Sequence, residues 1–97
     1  MKIIPDQLTF DWDSGNSEKN FIKHKVTIQE AEEVFVNEPL VVIEDLVHSK
    51  NERRFCAFGK TQSRRKLFLS FTIRNNKIRI ISIRDMDKKE KNRYEES

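Results

Sequence analysis

Residues 66–84 read as a β-hairpin whose return strand carries charge. Lys66, Phe68, Ser70, Thr72 and Arg74 alternate with Leu67, Leu69, Phe71 and Ile73. That is the period-two pattern of a strand with one dry face and one open face. Asn75 and Asn76 follow, and asparagine tolerates the positive φ of a tight turn. The return strand, Ile78-Arg79-Ile80-Ile81-Ser82-Ile83-Arg84, is apolar on both faces and suits a central position, yet it holds two arginines. Burying an unpaired charge is costly, so this strand is expected to end at a working surface. Phosphate is the anion most often gripped by arginine. Strand parity puts Ser82 and Arg84 on one face and Arg79 on the other, unless a bulge or strong twist intervenes. The alternative for Arg79 is an ion pair with an acid such as Asp11, Asp13 or Glu44.

The remaining elements follow from local signals. Residues 9–13 read as a short strand, 14–17 as a turn and 17–24 as a short helix. Thr27 and Glu30 form a capping box, with Val26 and Ala31 placed for a hydrophobic staple. Ile28, Ala31, Val34 and Phe35 make one apolar helical stripe, which Asn37 and Pro39 end. From Leu40 the period becomes two, with strands over 40–44 and 53–58 and a polar loop over 59–65. Residues 87–95 read as a helix with Asp87 and Glu90 as a cap pair. Its apolar residues are essentially Met86 and Tyr94, so it is expected to be loosely held. The order is β-α-α-β-β-β-β-α. Short turns make the sheet antiparallel. This is an α+β fold with two N-terminal helices, a short C-terminal helix, helices on one side of the sheet, and one domain over residues 1–97.

Charge divides the chain. Residues 1–52 hold 5 Lys/Arg against 11 Asp/Glu, a formal −6, and residues 53–97 hold 14 against 5, a formal +9, which together give the net +3. A basic half points to nucleic acid or another polyanion. The alternative is that the two halves pair and solvate one another. The single cysteine, Cys56, reads as a reduced core residue, and the two histidines, His24 and His48, stand far apart without metal-ligand spacing. No metal and no cofactor are expected. No run is long enough to span a bilayer and no signal peptide is visible, so a cytoplasmic protein without a membrane partner is expected.

Several residues could carry chemistry. His24 closes the first helix, where its titration range suits acid–base work, although capping or packing would explain it as well. Glu52 beside Arg53 and Arg54 is either a base or a cross-strand pair. Arg64, Arg65 and Lys66 form a phosphate-contact patch or an ordinary solvated loop. Trp12 reads as core rather than as a stacking platform.

An ordered set of motifs resembles the BrnT family. Phe10-Asp11-Trp12-Asp13, Lys23-His24-x-Val26 and Glu30-Ala31 with Val34-Phe35 resemble its first half. His48 with Glu52-Arg53-Arg54, Gly59-Lys60-Thr61, and Arg79-Ile80-Ile81-Ser82-x-Arg84 with Glu90 and Tyr94 continue it through residue 95. The resemblance implies a RelE-like ribonuclease toxin of a type II toxin–antitoxin system, inhibiting translation. It also implies a BrnA-like antitoxin with a ribbon-helix-helix domain, in a complex that represses its own operon by binding operator DNA. A 2:2 complex is expected, with the toxin monomeric when free. Lys25 stands where the family usually has glycine, as does Ser63 before the hairpin arginine.

The expected activity is metal-independent endoribonuclease cleavage, since RNA carries its own nucleophile in the 2′-OH. Arg84, with Arg79, would stabilise the phosphate. His24 or Glu52 would move the proton, and Tyr94 would stack on a base or donate a proton. Lys23 and Arg53 would assist, with Arg64, Arg65, Lys66 and Arg74 as further RNA contacts. The rival is a non-catalytic nucleic-acid-binding or assembly module of the repressor complex.

Overall fold

A computed structural model describes residues 4–16, 18 and 24–96. Helix α1 spans Ile28–Val34 and is followed by strands β1 (Val41–Asp45), β2 (Arg54–Lys60), β3 (Lys66–Arg74) and β4 (Lys77–Asp85), then by helix α2 (Lys88–Glu95). The strands form one antiparallel meander in the order β1-β2-β3-β4. Most of the helix expected over 17–24 lies outside the described residues. Helical backbone begins earlier, at residues 14–16.

The expected first strand is a single parallel bridge, Phe10 to Ile78. The Asp11 amide donates to the Ile78 carbonyl and the Ile78 amide to the Thr9 carbonyl, each at 2.8 Å. The buried Asn16 side chain donates to the Ile80 carbonyl at 3.0 Å. Strand β4 is therefore at the end of the sheet order, not central, and the N-terminal segment covers part of its edge. That cover explains why Ile78 and Ile80 are buried in an end strand.

A register shift sits between Ser70 and Phe71: Ser70 pairs with Ser82, whereas Phe71 pairs with Ile80. Ile81 is the extra residue. A bulge reverses the alternation beyond it. Ile78, Ile80 and Ile83 consequently all face the core, while Arg79, Ser82 and Arg84 share the open face.

The core lies between that inner face and α1. Phe35 meets Phe71 and Phe10 edge to face, at ring-centroid distances of 5.3 and 5.6 Å. Gly59 lets α1 approach β2, since an added Cβ would stand 2.7 Å from Val34 Cγ1. The Thr27–Glu30 capping box is present. Ile28, expected in the apolar stripe, is 43% exposed, and the helix ends at Val34 rather than at Asn37. Asn75 and Asn76 both take positive φ, 52° and 63°, as a type I′ hairpin requires.

Helix α2 does not join α1. It lies against the opposite, open face, where Glu90, Arg93 and Tyr94 line a groove with Val41, Ile43 and Phe58. Cys56 is on that face too, paired with Ile43 and Ser70 and only partly buried, rather than in the core. Burial pushes its thiol pKa up, which makes it a poor nucleophile.

Candidate active site

Helix α2 neutralises one end of the open face. The Arg84 guanidinium lies 4.3 Å from the centroid of the Phe68 ring. It donates to both Glu90 oxygens, at 2.7 and 3.0 Å. Glu90 also accepts the Asp87 amide at 2.9 Å, closing the α2 capping box. Arg84 holds the Glu90 carboxyl below its ordinary value, and Glu90 raises the pKa of Arg84 in return. Tyr94 is buried and its hydroxyl donates to the Pro39 carbonyl. Lys66 pairs with Glu95. Polar contacts therefore hold a helix whose apolar content suggests weak attachment.

The same end of β4 is tied to the start of α1 by Arg65. Its guanidinium donates to Asp85 at 2.7 and 3.0 Å, to the Lys25 and His24 carbonyls at 3.0 Å each, and to Glu30 at 3.2 Å. Asp85, then Glu30, pushes the Arg65 pKa further up. The hydrogen bond from Arg65 holds Asp85 below its ordinary value. Arg65 clasps the fold.

The far end of the face is open. A cleft of about 530 Å³ is lined by His48, Lys50, Glu52, Arg54 and Arg74, among others. Arg74 donates to both Glu52 oxygens at 2.6 and 2.9 Å. Arg79 meets Asp13 at 3.0 Å and Asp11 at 3.6 Å. The Arg74 hydrogen bond lowers the Glu52 pKa, and the nearby charges of Arg54 and Arg79 add to it. These four charged groups thus share one local field.

Arg54 differs from its neighbours. It is partly buried and faces Asp45 directly across the β1–β2 ladder. Its guanidinium has no hydrogen-bond or ion-pair partner among the described residues. Directly opposed residues have Cβ atoms about 5 Å apart, but the Asp45 carboxylate is already engaged. It accepts the His48 amide at 3.2 Å and the His48 ring Nδ1 at 2.8 Å.

A family model described as "Ribonuclease toxin, BrnT, of type II toxin-antitoxin system" matches residues 12–90. The chain belongs to the BrnT family. No curated protein matches it. Membership makes it a ribonuclease toxin by family, with an antitoxin as partner and RNA as target. The two glycine departures have a structural meaning in this BrnT protein. Lys25 sits at φ 55° and Arg64 at φ 70°, so the hairpin's left-handed residue is Arg64, not Ser63.

The residues singled out from sequence fall into separate groups. Glu52, Arg74 and Arg79 converge at the open end. Arg84, Tyr94 and Lys66 are engaged by α2 or its anchor. His24 gives its carbonyl to Arg65, which also binds Asp85 at the other end of β4. Arg53 pairs with Glu44 at 2.9 and 3.0 Å and lies 5.2 Å from the Phe55 ring centroid. Arg64 is exposed. Lys23 lies outside the described residues. Sequence reasoning did not single out Arg54 and His48, which line the cleft. Parity contained the signal for Arg54, since Phe55 faces the core and its neighbour must face out. Among the described residues, no group of three or more His, Cys, Asp or Glu side chains is placed to hold a metal ion, and no helix is long and apolar enough to cross a membrane.

Proposed function

We propose that this BrnT protein cleaves RNA at the open end of its outer sheet face. Arg54 is the observation that carries the reading. A partly buried guanidinium with no hydrogen-bond or ion-pair partner among the described residues, at the mouth of a polar cleft, is prepared for an anion from outside. Arg74 and Arg79 stand ready to help. The Arg74–Glu52 pair is surface-exposed, and such pairs hold so weakly that either partner can exchange for a phosphate. Arg54 and Arg74 would hold the scissile phosphate, and Arg79 would grip the adjoining backbone. Arg84 and Tyr94 would keep α2 in place. Arg64 and Arg53 would extend the RNA path.

The chemistry needs no metal in this reading. The 2′-oxygen attacks phosphorus, and the cations stabilise the charge that develops on the phosphate oxygens. The four-stranded antiparallel meander flanked by helices supports the RelE-like assignment. Translation stops because message is destroyed. A BrnA-like antitoxin with a ribbon-helix-helix domain would neutralise the toxin in a 2:2 complex that binds operator DNA. Leu46 and Val47, 79% and 75% exposed beside the cleft, would lie beneath it, and the free toxin would be monomeric.

Incubation of purified protein with RNA in EDTA tests the reading. Cleavage products ending in a 2′,3′-cyclic phosphate are expected. Intact RNA, with the protein still binding it, would favour the non-catalytic module that only serves the repressor complex.

A further inference from the structure

We infer that His48, oriented by Asp45, is the catalytic base of the open cleft. The inference rests on the proposed location of RNA cleavage and assigns the proton-transfer group within it. Asp45 ends β1, and His48 follows in the turn that leads to β2. The ring's Nδ1 is 2.8 Å from Asp45 Oδ2, while the turn itself is closed by the His48 amide on Oδ1. Asp45 is held below its ordinary pKa, first by the ring hydrogen bond from His48, so its carboxylate is ionised and accepts. Nδ1 therefore carries the proton in the neutral ring, and the Nε2 lone pair is left free. One carboxylate thus fixes both the tautomer and the ring orientation, as in other histidine bases.

Placement supports the role. The His48 side chain is 62% exposed whereas Asp45 is 19% exposed, so the orienting group is sheltered and the reactive atom faces RNA. Both His48 and Arg54 line the same cleft, and Arg54 stands directly across the ladder from Asp45. A phosphate seated on Arg54 is thereby brought alongside the imidazole. Lys50, Glu52 and Arg74 are the other charged groups that line the cleft with His48 and Arg54. Glu52, suggested by sequence alongside His24, has its pKa lowered by Arg74 and further by the charges of Arg54 and Arg79, which makes it a weak proton acceptor.

The step balances simply. Nε2 takes the 2′-OH proton, the O2′–P bond forms and the P–O5′ bond breaks. The 5′ oxygen takes a proton from solvent water, and the imidazolium returns its proton to the hydroxide left behind. The products are a 2′,3′-cyclic phosphate and a 5′-hydroxyl.

Single-turnover cleavage of a short RNA by the full chain, measured across pH for wild type, His48→Ala and Asp45→Asn, tests this. Circular dichroism of each variant and binding of the 2′-deoxy analogue serve as controls. Loss of a general base commonly costs about 100-fold or more. His48→Ala is expected to lose about that much, to lose the ascending acid limb of the rate profile, and to bind the deoxy analogue within about threefold of wild type. Added imidazole should restore part of its rate, which repair of a structural defect would not do. Asp45→Asn, a positioning change, should keep the limb at a lower rate. A folded His48→Ala that cleaves like wild type with the same limb overturns the base assignment alone. A wild type that leaves RNA intact overturns the cleavage reading and the dyad together.

Discussion

The two ends of the open sheet face use arginine in opposite ways. At the α2 end, Arg84 is stacked on Phe68 and bound through two nitrogens by Glu90. At the cleft end, Arg54 is partly buried and its guanidinium has no such partner among the described residues. The return strand of the hairpin looked like the functional element because it carries two arginines. Both have carboxylate partners: Glu90 binds Arg84, and Asp11 with Asp13 engages Arg79. In our reading a stacked arginine in a sheltered carboxylate pair, such as Arg84–Glu90, serves the fold, whereas the more exposed Arg74–Glu52 pair can still yield to a phosphate. An arginine that lacks a carboxylate is available to a ligand.

The largest expected effect comes from removing the cation at the cleft end, with the same change at the α2 end as its comparison. Arg54→Ala should lower the rate of RNA cleavage about 100-fold or more, by analogy with loss of one donor to a developing anion. Arg84→Ala should change the rate less than about fivefold while costing about 1 kcal/mol of stability, a figure discounted because the Arg84–Glu90 pair is partly exposed. Cleavage kinetics and thermal unfolding of the two variants decide the matter. A reversed pattern would move the site beneath α2.

Acid should act on the clasped end. Asp85 and Glu90 are held below their ordinary values of 3.8 and 4.5 by Arg65 and Arg84. Glu30, ordinarily at 4.5, is lowered first by the Thr27 amide and then by Arg65. Depressed carboxyls make the folded state the weaker proton binder. Their contribution is therefore complete above those ordinary values and is lost as pH falls through the depressed folded ones. Urea unfolding should give a midpoint that is flat down to about pH 5 and then falls. In Arg65→Met the fall should be shallower by the share of Asp85 and part of that of Glu30, with the share of Glu90, held by Arg84, retained. An equal fall in that variant would mean that Arg65 does not link these groups to stability.

A smaller effect is expected where Lys25 takes φ 55°. Lys25→Gly relieves a left-handed residue, worth about 1 kcal/mol, and should raise the melting temperature by about 4–8 °C in a chain of this size. The Arg65 bond to the Lys25 carbonyl is a backbone contact and survives the change. Unchanged or lowered melting would show that the lysine side chain itself matters there.

Local chemistry made much of the fold legible. The alternation over 66–74, the paired asparagines and the two capping boxes each report on a few neighbouring residues, and all four appear as expected. The side of the sheet chosen by α2 was not legible, because its attachment through Arg84–Glu90, Lys66–Glu95 and Tyr94–Pro39 is polar and leaves little apolar period. The bulge at Ile81 was foreseen only as a condition, since an extra residue leaves no mark in composition. The candidate site was legible in its ingredients, Glu52, Arg74 and Arg79, but not in its membership. Which arginine stays unpaired depends on carboxylates from distant segments, such as Asp13 on Arg79 and Glu44 on Arg53.

The central claim is that RNA seats at the cleft end and leaves the α2 end untouched. Backbone amide chemical shifts recorded while a 2′-deoxy RNA analogue is titrated into the full chain test it most directly. Shifts are expected at His48, Lys50, Asn51, Glu52, Arg54, Arg74 and Arg79, with Phe58, Phe68, Arg84 and Tyr94 unmoved. Shifts centred on Phe68 and Arg84, with His48 and Arg54 still, would contradict the account.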